Sequence, residues 1–253
     1  MTAIHQRYTR EIYDNLRYRP TWLPGTPIRL GSVGVIENGI FRPVTALAQL
    51  NMAFDAVTDS SRDTISYNSK SGVSITFKAA GDSNPRFEAV TQGSAGALVE
   101  FSRDGAVVLQ LKGAASHRIA DQPALYRALL RAVVLGDQAQ WQRDWVVITE
   151  VVQAQSATIL ISDSAGSRLE LKASGAIAPV SLVDASAGLS VAQESQISTR
   201  IIAESGLTPL YRGVRVQRGF LWLFDEVQPA SAGTPGAEAV FGAAAPEDDA
   251  ADS

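Results

Sequence analysis

The sequence predicts an α+β fold, a twisted and mainly antiparallel central sheet with an N-terminal helix and a connecting helix. Three observations predict it. Short stretches rich in β-branched and aromatic residues, bounded by Gly, Asn, Asp and Ser, recur between residues 21 and 112 and again between Trp145 and Val216. Only two stretches, 2–17 and 121–138, carry the apolar spacing of an amphipathic helix. No repeat with a period of 20 to 50 residues points to a solenoid or propeller.

In order along the chain, residues 2–17 predict the first helix. Ile4, Tyr8, Ile12 and Leu16 recur every four residues and form one apolar stripe. Arg7, Arg10 and Arg17 lie off that stripe and Arg19 follows, so the segment is net positive against Glu11 and Asp14. Such a helix is either an ordinary solvated face or one that docks on anionic lipid or an acidic partner. Pro20 ends it, because the residue before a proline is pushed out of the α region.

Residues 21–58 read as short strands and turns. Trp22-Leu23-Pro24-Gly25 and Glu37-Asn38-Gly39 are turn signals. Asn38-Gly39 between Val33-Gly34-Val35-Ile36 and Ile40-Phe41 predicts a tight hairpin, since both turn residues tolerate positive φ. Across 64–112, Val73, Ile75 and Phe77 alternate with Ser74, Thr76 and Lys78. Further strands are expected at Phe87 to Val90, Leu98 to Phe101 and Val107 to Leu111, the last two joined by the Arg103-Asp104-Gly105 turn.

Residues 121–138 predict the connecting helix, with Asp121 as N-cap, Pro123 in the first turn and Gly136 as the stop. Leu125, Leu129, Ala132 and Val133 supply its apolar face. Val146 to Val152 is nearly continuous in β-branched residues, as a strand buried on both faces would be. Ala157 to Ser162 and Arg168 to Ala173 flank a turn at 163–167. Leu189 to Gln193, Ile197 to Ile202 and Leu210 to Val216 complete the strands. Phe220 to Phe224 reads as an aromatic core anchor.

Charge separates the end of the chain from the rest. From Gln228 onward there is no Lys or Arg, while Glu238, Glu247, Asp248, Asp249 and Asp252 are acidic. The chain has 22 basic and 26 acidic residues; without those five, 21 acidic residues remain and the body is close to neutral. The expected division is therefore a folded body, 1–227, and an acidic tail, 228–253. A tail rich in Ala, Gly, Pro and Ser is a solvated terminus or a removable cover, and its apolar island Ala239-Val240-Phe241 keeps the second reading open.

Composition removes several function classes. The absence of cysteine excludes disulfides, thiolate metal sites and thiol nucleophiles. The only histidines are His5, near the start, and His117, expected in a loop before the second helix. Neither carries partners for a zinc site or a Ser/His/Asp triad. The polar N-terminus gives no signal-peptide pattern, and no 18-residue apolar run gives a transmembrane helix. Walker, dinucleotide-binding, H-E-x-x-H and G-x-S-x-G motifs are absent. No enzyme, cofactor or metal is expected, and basic residues do not interleave with aromatics as nucleic-acid binding would require.

Three stretches resemble, at the level of distant motifs, the pore-forming domain of gasdermins, bacterial members included. The first is Arg7-Tyr8-Thr9-Arg10-Glu11-Ile12 followed by Gly39-Ile40-Phe41-Arg42-Pro43-Val44-Thr45-Ala46-Leu47. The second is Trp145 to Gln155, with Val147-Ile148-Thr149-Glu150-Val151. The third runs from Ile197 to Val216. Their shared order, more than any one of them, carries the likeness. Bacterial members often carry a lipidated N-terminal cysteine, and this chain has none.

The resemblance implies a gasdermin N-terminal-like fold and a protein held inactive by its tail. Proteolysis would release it to oligomerise and permeabilise the cell's own membrane in defence or cell death. Arg7, Arg10, Arg17 and Arg19 would meet lipid. Segments 73–112 and 156–203 would rebuild into membrane hairpins, with Val73, Ile75, Phe77, Ile159 and Ile161 facing lipid. Val240 and Phe241 would pin the resting state from an apolar groove. The implied partners are membrane lipids after activation, an activating protease and further copies of the chain. The implied location is the cytoplasm when inactive and the inner membrane when active. The last basic residue of the body is Arg218, so a trypsin-like protease has no site in the tail, whereas Asp225 and the small-residue stretch 230–236 suit other proteases. The alternative is a soluble β-rich binding or assembly module with a disordered tail.

Overall fold

A computed structural model describes residues 4–59, 61–134, 141–142, 144–184, 188–218 and 225–229. Among the described residues there are two α-helices, α1 (Ile4–Leu16) and α2 (Gln122–Val134). The strands, in order, are β1 (Arg19–Pro20), β2 (Ser32–Glu37), β3 (Ile40–Ala46), β4 (Ala56–Thr58), β5 (Asp63–Asn68), β6 (Val73–Lys78), β7 (Gly96–Phe101), β8 (Val107–Ile119), β9 (Val146–Gln153), β10 (Ser156–Ser162), β11 (Arg168–Lys172), β12 (Ser190–Ser195), β13 (Ile197–Glu204), β14 (Leu210–Arg218) and β15 (Asp225–Pro229). The pairings described below are all antiparallel, so the fold is α+β with a mainly antiparallel sheet. The described residues fall into two compact units. One is drawn from Met1–Glu11, Ser61–Ala115 and Gln153–Leu207, the other from Ile12–Ser60, Ser116–Val152 and Thr208–Ser253.

In the second unit β14 lies between β1 and β9 and also pairs β15, while β9 pairs β2 and β2 pairs β3. The β2–β3 hairpin turns at Asn38 and Gly39, whose φ values of 51° and 78° are those of a type I′ turn. α2 starts where its sequence says. The Asp121 carboxylate accepts the Ala124 N–H at 2.9 Å, satisfying an amide that the first helical turn leaves open. Leu125 and Leu129 then pack with Leu47, Ile119, Trp145, Val147 and Val214. β9 is buried from Val146 to Val152, as its nearly continuous β-branched run predicts, with Thr149 and Glu150 buried among the apolar residues.

In the first unit two sheets face each other. β8 is flanked by β5 and β10, and β10 by β13. The other sheet has four strands in the order β12-β11-β7-β6. Val108 and Leu160 from the first sheet meet Ala97, Val99, Phe101, Leu169 and Leu171 from the second, with Val73, Ile75 and Phe77 packed alongside. This is the core of that unit.

Three expectations need correcting. His117 is in β8, not in a loop; it pairs with Thr58 of β4, whose Oγ1 lies 2.8 Å from its Nδ1. Phe87 to Val90 is not a strand, because Phe87 and Val90 turn inward onto Leu98 instead of alternating. β15 runs through Pro229, across the boundary drawn at 227 from composition. Phe220 to Phe224 and the tail beyond Pro229 lie outside the described residues, as does the predicted end of α2 at 135–138.

Candidate functional site

The four-stranded sheet gathers what the sequence had placed in two distant segments. Its register aligns side chains in rows. Ile75, Val99, Leu169 and Glu194 form one row, and Phe77, Ala97, Leu171 and Val191 another. Interleaved rows point the other way: Ser74, Glu100, Arg168 and Ser195, then Thr76, Leu98, Glu170 and Gln193. Each row keeps its face because side chains alternate along a strand, and a register shift between Glu170 and Leu171 resets the alternation in β12, so that Gln193 and Val191 fall in rows of opposite face. One face is therefore mainly apolar and the other mainly polar. Val73, Ile75 and Phe77 lie on the apolar face, partly buried against the core.

Ile159 and Ile161 do not share this sheet. They belong to β10, a central strand between β8 and β13, and both are fully buried. Every residue of β10 is buried, so in this state its consecutive apolar residues serve two covered faces. Of the segment 156–203, β11 and β12 are the strands that belong to the four-stranded sheet.

The polar face is covered by residues of the connection 79–95. Glu170, fully buried, accepts the backbone N–H groups of Glu88, Ala89 and Val90 at 2.9, 2.8 and 3.1 Å, and Arg168 Nη2 at 2.8 Å. Burial alone would raise its pKa; the three amides and Arg168 outweigh that and hold it below the ordinary carboxylate value. Lys78 donates to Val90 O at 2.7 Å and Thr91 O at 2.8 Å, and its Nζ lies 5.0 Å from the Phe87 ring centre. Arg86 pairs with Glu100, and Arg168 Nη1 with Glu88 at 2.9 Å. A cleft of about 510 Å³ bounded by Ser71, Ser74, Arg86, Glu100, Ser102 and Arg168 thus has its charges engaged. At the sheet's far end Ala80 N–H donates to Ala176 O at 2.8 Å, so the β6–β7 and β11–β12 connections lie together. Ile177 and Val180, in the latter, are 85% and 83% exposed.

The four arginines fall into different environments. Arg7 is ion-paired with Asp104 in the turn between β7 and β8. One helical turn on, Glu11 accepts Arg103 Nη2 at 2.9 Å on both oxygens, the Tyr67 hydroxyl at 2.8 Å and the Ser69 hydroxyl. Burial, then Glu11, raises the Tyr67 pKa. Arg10 and Arg17 are exposed. Arg19 is not available to lipid in this state: it is 2% exposed, in β1 opposite Tyr211, with its guanidinium 5.6 Å from the Tyr13 ring centre. Burial lowers its pKa against the pull of Tyr211 and Tyr13.

One polar cluster escaped the sequence reading. Glu150, nearly buried in β9, accepts the Tyr18 and Ser116 hydroxyls at 2.7 Å each and Arg212 Nη1 at 3.2 Å, and Arg212 stacks 4.0 Å from the Tyr18 ring centre. Burial and then the Glu150 bond push the Tyr18 pKa up to about 12. The signal was a single Glu inside a Val-rich strand. Its oxygens are engaged by side chains of the same unit, and the cluster ties β9 to β14. Val240 and Phe241 lie outside the described residues. Among the described residues no helix is long and apolar enough to cross a membrane, which leaves strand-based insertion open. No family model matches the chain, and no curated protein matches it in sequence.

Proposed function

We propose that the chain is a gasdermin-like pore-forming protein, held inactive by its C-terminal tail and released by proteolysis to form a ring in the cell's own membrane. One observation carries this reading. Two segments about 70 residues apart in sequence pair through β7 and β11 into a single amphipathic four-stranded sheet. Three antiparallel steps separate β6 from β12, so the two edges run in opposite directions. A second copy laid with its β6 on this β12 continues the sheet antiparallel, and repetition closes a barrel with no edge left in lipid. The apolar rows suit lipid and the polar rows an aqueous lumen. Ile177 and Val180 suit first contact with a bilayer, and Arg10 and Arg17 suit its anionic surface. The chain waits in the cytoplasm and acts at the inner membrane in this reading.

The present strands of five or six residues are short of the ~9–11 that a spanning strand needs, so they must lengthen. A binding or assembly module is the second reading, favoured by the engaged ion pairs that already cover the polar face. Dye release from anionic liposomes separates the two, comparing the full chain with one ending at Pro229, which keeps β15 whole. Leakage and ring-shaped oligomers from the shortened chain alone support the pore. No leakage from either, with the shortened chain folded and monomeric, transfers the weight to the module.

A further inference from the structure

The connection 79–95 is fastened at two points by groups that the sheet buries. Glu170 occupies a nest of three successive backbone N–H groups, 88 to 90, a concavity that favours a negative charge. Lys78, 3% exposed, holds the carbonyls of Val90 and Thr91. Between these fastenings and the strands, the two limbs of the connection already touch: Gly81 N–H donates to Gln92 O at 2.7 Å, and Gln92 Nε2 to Gly81 O at 3.2 Å.

We propose that Glu170 and Lys78 are a two-point latch on this connection, and that opening it lets 79–84 and 90–95 zip onto β6 and β7 in the register those strands already keep. The inference rests on the pore-forming reading and names what restrains it. β6 and β7 pair Val73 with Phe101 and Lys78 with Gly96. Continued outward, that register sets Ala79 opposite Ala95, Gly81 opposite Gly93 and Ser83 opposite Thr91. These small residues fall on the face of Ile75, Phe77, Ala97 and Val99, because side chains alternate. Ala80 with Ser94, Asp82 with Gln92, and Asn84 with Val90 fall on the face of Thr76 and Lys78, and Ala80 and Val90 are the apolar departures.

The zipped hairpin would run 73–84 and 90–101, each strand long enough to meet the ~9–11 residues of a membrane strand. Pro85, which cannot donate to a ladder, falls in the turn that remains, and neither limb contains another proline. Neither limb brings a Lys, Arg, Asp or Glu onto the apolar face. The charges that now fasten the connection, Lys78 and Glu170, stay on the polar face, where water can replace the backbone groups they release.

Hydrogen exchange on the full chain tests the latch, comparing the parent with Glu170→Gln and with Lys78→Met. The informative amides are Gly81, Phe87 and Ser94, which bond to Gln92, Asn84 and Thr91 and not to Glu170. Both variants should speed their exchange about tenfold or more, as one cooperative opening, while Leu109 and Ile159 keep their protection. Faster exchange confined to 88–90, or protection lost equally at Leu109 and Ile159 in both variants, overturns the latch. Should Glu170→Gln fail to fold, Lys78→Met carries the same comparison.

Register is read by a cross-link, which the absence of native cysteine makes clean. Ser83→Cys with Thr91→Cys should oxidise in higher yield when Glu170→Gln is added; a higher yield for Ser83→Cys with Gln92→Cys overturns the register. The latch and the pore fail separately. An opened connection in a chain that permeabilises no vesicle after tail removal keeps the latch and removes the pore, whereas leakage with Gly81 and Ser94 still protected does the reverse.

Discussion

Arg103 Nη2 lies 2.9 Å from both carboxylate oxygens of Glu11, a contact between residues 92 apart in the chain. With the Tyr67 and Ser69 hydroxyls on the same carboxylate, Glu11 fastens the start of α1 to β5 and to the β7–β8 turn. The Arg7–Asp104 pair repeats the tie one helical turn earlier, but with side chains 32% and 55% exposed, against 14% for Glu11.

The two ties should therefore differ in energy. Glu11→Ala strands three donors around a largely buried position and should cost about 2–3 kcal/mol. Asp104→Ala removes a solvent-screened pair and should cost below about 1 kcal/mol. Urea unfolding of both variants gives the comparison, and equal losses would show that burial does not set the worth of these pairs.

The arginines should separate in the same way when binding to anionic vesicles is measured. Arg10→Glu and Arg17→Glu each take a cation from an exposed position and should weaken binding about fivefold or more at low salt, following roughly 1 kcal/mol per basic residue at the surface. Arg19→Ala acts on the fold instead: it empties a site beside Tyr13 and Tyr211 and should lower the thermal midpoint. Arg19→Ala leaving the midpoint unchanged while abolishing vesicle binding would put Arg19 at the membrane after all.

Much of the fold was legible because it is written in local chemistry. Asp121 caps α2, Asn38-Gly39 turns the first hairpin, and Val73, Ile75 and Phe77 alternate because one side of β6 is core. What was hidden depends on partners distant in sequence. Nothing adjacent to Glu170 says that its carboxylate will meet the amides of 88–90, and a lysine at 78 reads as solvent-facing until Val90 and Thr91 fold over it. Ile159 and Ile161 are a related case: an apolar run describes burial on two faces equally in a sheet interior or beside lipid, and only the neighbours β8 and β13 decide for this state.

That decision can be measured. Ile159 is fully buried between Leu109 and Ile201, so Ile159→Ala should cost about 2–5 kcal/mol through lost burial and the cavity left. Ile75, only partly buried on β6, should cost less when shortened to alanine. Urea midpoints that reverse this order would remove β10 from the core.

Glu170 predicts an acid dependence. Its folded pKa lies below the ordinary value, because three amides and Arg168 favour the charged form more than burial opposes it. A depressed carboxyl stabilises fully above the unfolded value, ~4.3, and the stabilisation is lost as pH falls through the lower folded value. The gap in unfolding free energy between the parent and Glu170→Gln should hold steady above that pH and close below it. A gap that widens in acid would mean the carboxyl is bound in its protonated form.

Two glycines in or beside β7 should respond to alanine with opposite signs. At Gly96 an added Cβ would stand 2.3 Å from Leu171 O and 3.0 Å from Val90 Cγ1. The first is a backbone atom of β11 held in the ladder that joins the two hairpin regions, so it cannot turn aside as a side chain would. Gly96→Ala should cost about 1–3 kcal/mol by overpacking and should loosen the β7–β11 amides first. At Gly93 an added Cβ meets nothing within 4 Å, and the residue has no left-handed φ to strain. There alanine should be neutral or stabilise by about 0.4–1 kcal/mol, because it narrows the unfolded ensemble. If both substitutions cost the same, the close approach of β7 to β11 at Gly96 is not what joins the two segments into one sheet.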